Sequence, residues 1–157
     1  MASPNTSFVA NQVLTAAQQN NLPFGKCGLQ TLNTQFTTSA THTTFQDTGM
    51  TLTVTEVSGR LYRITAICNP FPSGGSQVIL MQLLRGASVL KTISLTTGML
   101  STAVAIPVII DFIYTSVGSG SSTFKIQMAG QTANTSVADF GSAAYPRQFV
   151  IEDIGSN

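Results

Sequence analysis

Ala144-Tyr145-Pro146-Arg147-Gln148-Phe149-Val150-Ile151-Glu152-Asp153-Ile154-Gly155 reads as a β-strand opened by a proline and stopped by Gly-Ser-Asn. Side chains alternate across a strand, so Phe149 and Ile151 share one face. Val150, Glu152 and Ile154 share the other. A terminus frays unless something ties it down. A well-patterned strand at this position therefore predicts the closing strand of a β-domain, paired with a partner and with Phe149 and Ile151 in the core.

Working back from that strand, β-patterns dominate from Gln30 onward. Thr123–Ala129 alternates, which places Phe124, Ile126 and Met128 inward and Lys125 and Gln127 outward. Ala103–Tyr114 reads as the most buried strand, because Val104, Ile106, Val108, Ile110 and Phe112 are answered by Ile109 and Ile113 on the opposite face. Pro107 cannot donate a ladder hydrogen bond and marks a bulge or a strand edge there. Gln77–Leu84 and Val89–Leu95 flank Arg85-Gly86-Ala87-Ser88 and read as a hairpin. Thr51–Val57 and Arg60–Cys68 flank Ser58-Gly59 and read as a second hairpin, the sharpest local pattern in the chain. Asn69-Pro70-Phe71-Pro72-Ser73-Gly74-Gly75 and Val117–Ser122 read as loops. Gly130–Ala144 is poorly patterned and has room for one weak strand. About eight strands without an intervening helix pattern predict an all-β protein, a jelly-roll-like antiparallel β-sandwich.

Composition narrows the function. The 157 residues form one domain by size. Charged residues make up 8% of the chain, against about 25% in a typical soluble domain. Threonine and serine, roughly a quarter of the residues, replace them. Such a surface is polar but has little charge to keep copies apart, which suits a protein that assembles. It equally suits a β-protein that simply favours uncharged surfaces. The seven basic residues are scattered, which argues against nucleic acid as a partner. No apolar run approaches the ~20 residues of a membrane span, and no secretory leader pattern opens the chain. Cys27 and Cys68 are therefore expected to be free and buried rather than bridged.

Chemistry for catalysis is not evident. His42, the single histidine, sits among threonines without a Gly-x-Ser-x-Gly elbow. Cys27, His42 and Cys68 lack metal-ligand spacing. Glu152 and Asp153 are adjacent on a strand, so they point to opposite faces and cannot form a carboxylate pair. They are free instead to pair with Arg147, Arg60 or Arg63, or to face solvent. The expectation is a protein that is not an enzyme, with no cofactor and no metal.

The first thirty residues differ from the rest. Thr15-Ala16-Ala17-Gln18 reads as a capping box opening one small helix, which Asn20-Asn21 and Pro23 end. So short a helix is unstable alone and must dock. Leu14, Leu22, Pro23 and Phe24 are the groups available for docking. The segment can fold back on its own domain or serve as an anchoring arm. We divide the chain into an arm, 1–30, and a β-sandwich, 31–157.

Two stretches carry a family resemblance. The ending Arg147-Gln148-Phe149-Val150-Ile151-Glu152-Asp153-Ile154-Gly155 resembles the C-terminal strand of small β-sandwich domains in tailed-bacteriophage virion proteins: capsid decoration (cement) proteins, head fibres and minor tail proteins. Val13–Gly25 resembles the leader of the same group. The resemblance covers roughly a sixth of the chain. It implies a jelly-roll sandwich that forms a homotrimer, decorates the capsid and stabilises the shell. The partners would be other copies of the chain and the major capsid protein or another virion subunit. Assembly would take place in the host cytoplasm, and the protein would reside in the virion. The resemblance also favours the anchoring-arm reading, with Leu14, Leu22, Pro23 and Phe24 as attachment residues. A tail or head fibre or minor tail protein is the alternative within that group. A host-surface carbohydrate-binding module is the alternative outside it. The lack of Trp and the presence of only Tyr62, Tyr114 and Tyr145 count against the latter, since sugar binders expose aromatic platforms.

Overall fold

The structure is a computed structural model and describes residues 22–38, 44–72, 78–96, 105, 107–131 and 136–156. Leu14, the capping box at Thr15 and His42 lie outside the described residues.

The described residues form eleven strands and no helix. They are β1 (Gly25–Leu32), β2 (Phe36–Thr37), β3 (Gln46–Glu56), β4 (Arg60–Cys68), β5 (Pro70–Pro72) and β6 (Val78–Arg85). β7 (Ser88–Thr96), β8 (Val108–Thr115), β9 (Gly120–Gly130), β10 (Val137–Asp139) and β11 (Arg147–Ser156) complete the set. Two four-stranded antiparallel sheets, ordered β1-β11-β4-β8 and β3-β9-β6-β7, face each other as a jelly-roll-like sandwich. A small third sheet, β2-β10-β5, closes one end. β1 begins at Gly25, so the boundary drawn at residue 30 falls inside a sheet strand.

The alternation read from sequence explains the core. Tyr62, Ile64, Ala66, Ile110, Phe149 and Ile151 project from the first sheet. Met50, Val54, Ile79, Met81, Leu83, Phe124, Ile126 and Met128 meet them from the second. Tyr114 and Phe124 touch edge to face across the gap, with ring centroids 6.0 Å apart. The closing strand β11 is not at an edge: it pairs with β1 on one side and β4 on the other. Asp153 faces inward in phase with Phe149 and Ile151, and after it a bulge shifts the register at Gly155, which sits at φ +117° and donates its N–H to Asp153 Oδ1 at 2.9 Å.

Three expectations are corrected. β3 and β4 are not a hairpin: they belong to opposite sheets, and residues 57–59 arch between them. The Val57 N–H, which a hairpin would satisfy across the strands, donates to the Tyr62 hydroxyl at 2.9 Å. Gly59, at φ +80°, donates to the Ser116 carbonyl, and Ser116 donates to Arg60. The arch closes on itself through one bond, Arg60 N–H to the Val57 carbonyl at 3.2 Å, and is otherwise bonded to the neighbouring β8–β9 connection. β8 is not the most buried strand. It is an edge, paired only with β4 among the described residues, and its outer face is open. Pro70-Phe71-Pro72 is not a loop but β5, an edge strand of the small sheet where proline is tolerated.

The two long seams of the sandwich differ. On the β1–β3 side the Gln30 amide donates to Gly49 O at 3.0 Å and accepts from Thr51 N at 2.7 Å, which joins the sheets. On the other side the edge strands β7 and β8 are not paired with each other.

Candidate functional site

Most of the few charges have a structural task. Five of the seven basic and five of the six acidic side chains form ion pairs. Two of these pairs are buried. Arg147, at the head of β11, gives Nη1 to Asp139 at 3.2 Å and to the Thr48 carbonyl at 3.0 Å. Its Nε and Nη2 both reach the Thr34 carbonyl. Burial pushes the Asp139 carboxyl up, while the Asn69 N–H and the Arg147 guanidinium pull against that rise. Arg60 makes a two-pronged bond to Asp153, Nε at 2.5 Å and Nη2 at 2.6 Å. The pairing of Asp153 with Arg60 was among the options open in the sequence; Arg147 instead pairs with Asp139, and Arg63 with Asp111.

Arg60 also holds the start of the described chain. Its Nη2 donates to the Leu22 carbonyl at 2.5 Å, and its guanidinium carbon lies 4.1 Å from the centre of the Phe24 ring. Leu22, Pro23 and Phe24 all face solvent, Phe24 at 64% exposure. The three described residues of the expected attachment group therefore sit together as an apolar lead-in seated on the Arg60–Asp153 pair.

A second surface lies on the outer face of the first sheet. Register places Lys26, Glu152, Arg63 and Ile113 in one cross-strand row. Leu29, Val150, Thr65 and Asp111 form the next, and Thr31, Gln148, Ile67 and Ile109 the third. The four charges on this face cancel in sign. Arg63 bonds both oxygens of Asp111, at 3.0 and 2.8 Å, and Thr65 adds a hydroxyl. The Arg63 guanidinium thereby holds the Asp111 carboxyl below its ordinary value, so the pair stays ionised through neutral pH. Around this neutral centre Ile109 and Ile113 stand 64% and 58% exposed on the edge strand, with Leu29 exposed on the opposite edge.

The cysteines diverge from expectation in part. Both are unbridged, but Cys27 is exposed on β1 and only Cys68 is buried. Burial pushes the Cys68 thiol well above its usual range, consistent with an inert core group.

No family model matches the chain, and no curated protein matches it by sequence. Solved structures resemble it distantly. The structure of the Gx strain of infectious bursal disease virus matches with TM-score 0.43 at 8% identity, covering 83% of this chain and 37% of that one. An insecticidal delta-endotoxin, Cry8Ea1 from Bacillus thuringiensis, matches with TM-score 0.40 at 14% identity, covering 81% and 19%. Dimeric latent PorU from Porphyromonas gingivalis matches with TM-score 0.41 at 10% identity, covering 86% and 13%. The chain spans well under half the length of each. The likeness to virus capsid jelly-roll proteins is weak, and no activity, ligand or partner is carried over from any of these proteins.

Proposed function

We propose that this chain is a non-enzymatic structural subunit of a phage virion, a decoration protein that assembles as a homotrimer and stabilises the shell it binds. The carrying observation is the edge strand β8. Exposed edge strands are normally blunted by lysine, proline or a bulge, because they invite pairing. β8 runs from Val108 to Thr115 without lysine, proline or a bulge, its one charge, Asp111, is paired to Arg63, and it presents Ile109 and Ile113 to solvent. The neutral Arg63–Asp111 centre beside them removes the like-charge repulsion that would oppose docking of a second copy. The resemblance of the Arg147–Gly155 and Val13–Gly25 stretches to phage virion proteins supports the setting. The Leu22–Phe24 lead-in is the second contact, made with the shell. Each site then adds a modest burial, and many copies together raise the cost of rupture. A tail or fibre location would use the same two surfaces.

Deleting residues 1–24 tests the lead-in. β1 begins at Gly25, so the truncated chain is expected to unfold cooperatively but to lose binding to particles lacking this protein. Co-sedimentation with such particles is the assay. Retention of full binding would remove the attachment role from this segment. Loss of cooperative unfolding would show that it belongs to the core.

A further inference from the structure

A cleft at the small-sheet end of the molecule carries a different inference. It encloses about 600 Å³ and is lined by Gln35, Asn69, Phe71, Pro107, Phe140 and Tyr145, together with Ala105. Pockets for organic ligands span roughly 300–1,000 Å³, with apolar and aromatic walls and a few placed polar groups. This one fits that description. Phe71 and Phe140 meet edge to face with centroids 6.4 Å apart, and Phe140 and Tyr145 meet at 6.2 Å. The Tyr145 ring is 65% exposed, so it has a face to offer.

The walls are built rather than incidental. Asn69 Nδ2 donates to the Phe140 carbonyl at 3.1 Å, and the Phe140 N–H donates to the Asn69 carbonyl at 3.0 Å. The Asn69 N–H donates in turn to buried Asp139, the partner of Arg147. Tyr145 is held by reciprocal backbone bonds with Ser142, which close the turn that carries it. The cluster of aromatics is thus pre-positioned by the buried ion pair, and little ordering entropy is left for a ligand to offset.

No lining side chain is charged. The nearest charges described, Asp139 and Arg147, are buried and bonded to each other. A phosphate or a carboxylate would lie there without a counter-charge. The groups that are available are aromatic faces, a tyrosine hydroxyl and the exposed Gln35 carboxamide, whose Nε2 also donates to the Thr37 hydroxyl at 3.2 Å; the Asn69 amide is committed to the Phe140 carbonyl. That combination matches a ligand with apolar C–H faces and a rim of hydroxyls. We infer that the cleft binds a neutral saccharide, with Tyr145 as the stacking platform, Phe71 and Phe140 as the floor, and Gln35 as a hydrogen-bonding edge. Counting tyrosines undervalued this surface, because two of its three rings are phenylalanine.

The test is affinity electrophoresis of the full chain in native gels containing dextran, soluble starch or galactomannan, followed by NMR titration with the matching oligosaccharide. At least one neutral polysaccharide is expected to retard the protein. Tyr145→Ala is expected to weaken that binding tenfold or more, and Gln35→Ala about threefold, with thermal unfolding unchanged because both side chains are exposed. Absence of retardation in all three gels overturns the inference, as does equal retardation of the Tyr145→Ala protein. A Tyr145→Ala protein whose mass in solution changes instead would make the cleft a contact between subunits, which also overturns it. Neither failure touches the β8 surface, which is read from Ile109 and Ile113 on the outer face of the first sheet and not from the cleft residues, although Pro107 directly precedes that strand.

Discussion

Replacing Arg147 with Met is expected to cost about 3–5 kcal/mol, the loss that follows when one partner of a buried ion pair is removed. Arg147 is fully buried and its guanidinium joins three separate segments. It reaches Thr34 on the β1–β2 connection, Thr48 in the β3 bulge and Asp139 on β10. Met fills similar volume but offers no donor. The substitution leaves two carbonyls without this donor and a carboxylate without its counter-charge. Adding Asp139→Asn should recover part of the loss, because it removes the uncompensated charge while an oxygen can still accept from Asn69 N. Urea denaturation of both variants measures this. A single variant within about 1 kcal/mol of the parent would place Arg147 among the weakly contributing surface charges.

Phe149→Ala is the second large effect. The ring is fully buried at the centre of the first sheet. Removal of a buried phenylalanine costs about 3–5 kcal/mol, from lost transfer energy and from the cavity left behind. That is a large share of a typical total of roughly 5–15 kcal/mol. Truncation after Pro146 goes further than baring one edge. β11 lies between β1 and β4, so its loss leaves both without that partner and divides the sheet. The truncated chain is expected to show no cooperative transition. An unchanged urea midpoint for Phe149→Ala would make β11 a surface element.

β11 was legible because its alternation is local: Phe149 and Ile151 against Gln148, Val150 and Glu152. The same holds for β9 and for the β6–β7 hairpin, whose partners are adjacent in the chain. The β3–β4 arch was not legible. Two alternating strands around Ser58-Gly59 look the same whether they pair with each other or part into two sheets. The choice is made by β9 and β11, far along the chain, and by Tyr62 taking up the Val57 N–H. β8 was misread for a related reason. Isoleucines on both faces signal burial on both faces only if something covers the second. Here the outer face lies at an edge, and the apolar residues that seemed to mark a core strand instead mark a surface. Arg147 and Arg60 look like ordinary strand charges in sequence, since their partners are up to 113 residues away. Of the attachment residues, Leu22, Pro23 and Phe24 are exposed. Their seating on Arg60 depends on a contact across 38 residues that no local pattern announces.

The account stands most directly on whether β8 is an interface between copies. Light scattering coupled to size exclusion, at micromolar concentration, measures this without any assumption about the virion. The chain mass is 16.5 kDa. The parent protein is expected at about three times that mass, as a closed symmetric trimer. A protein carrying Ile109→Asp and Ile113→Asp is expected at the single-chain mass with its thermal unfolding preserved, since both side chains face solvent. A monomeric parent would contradict the account, and so would a trimer that the double substitution leaves intact.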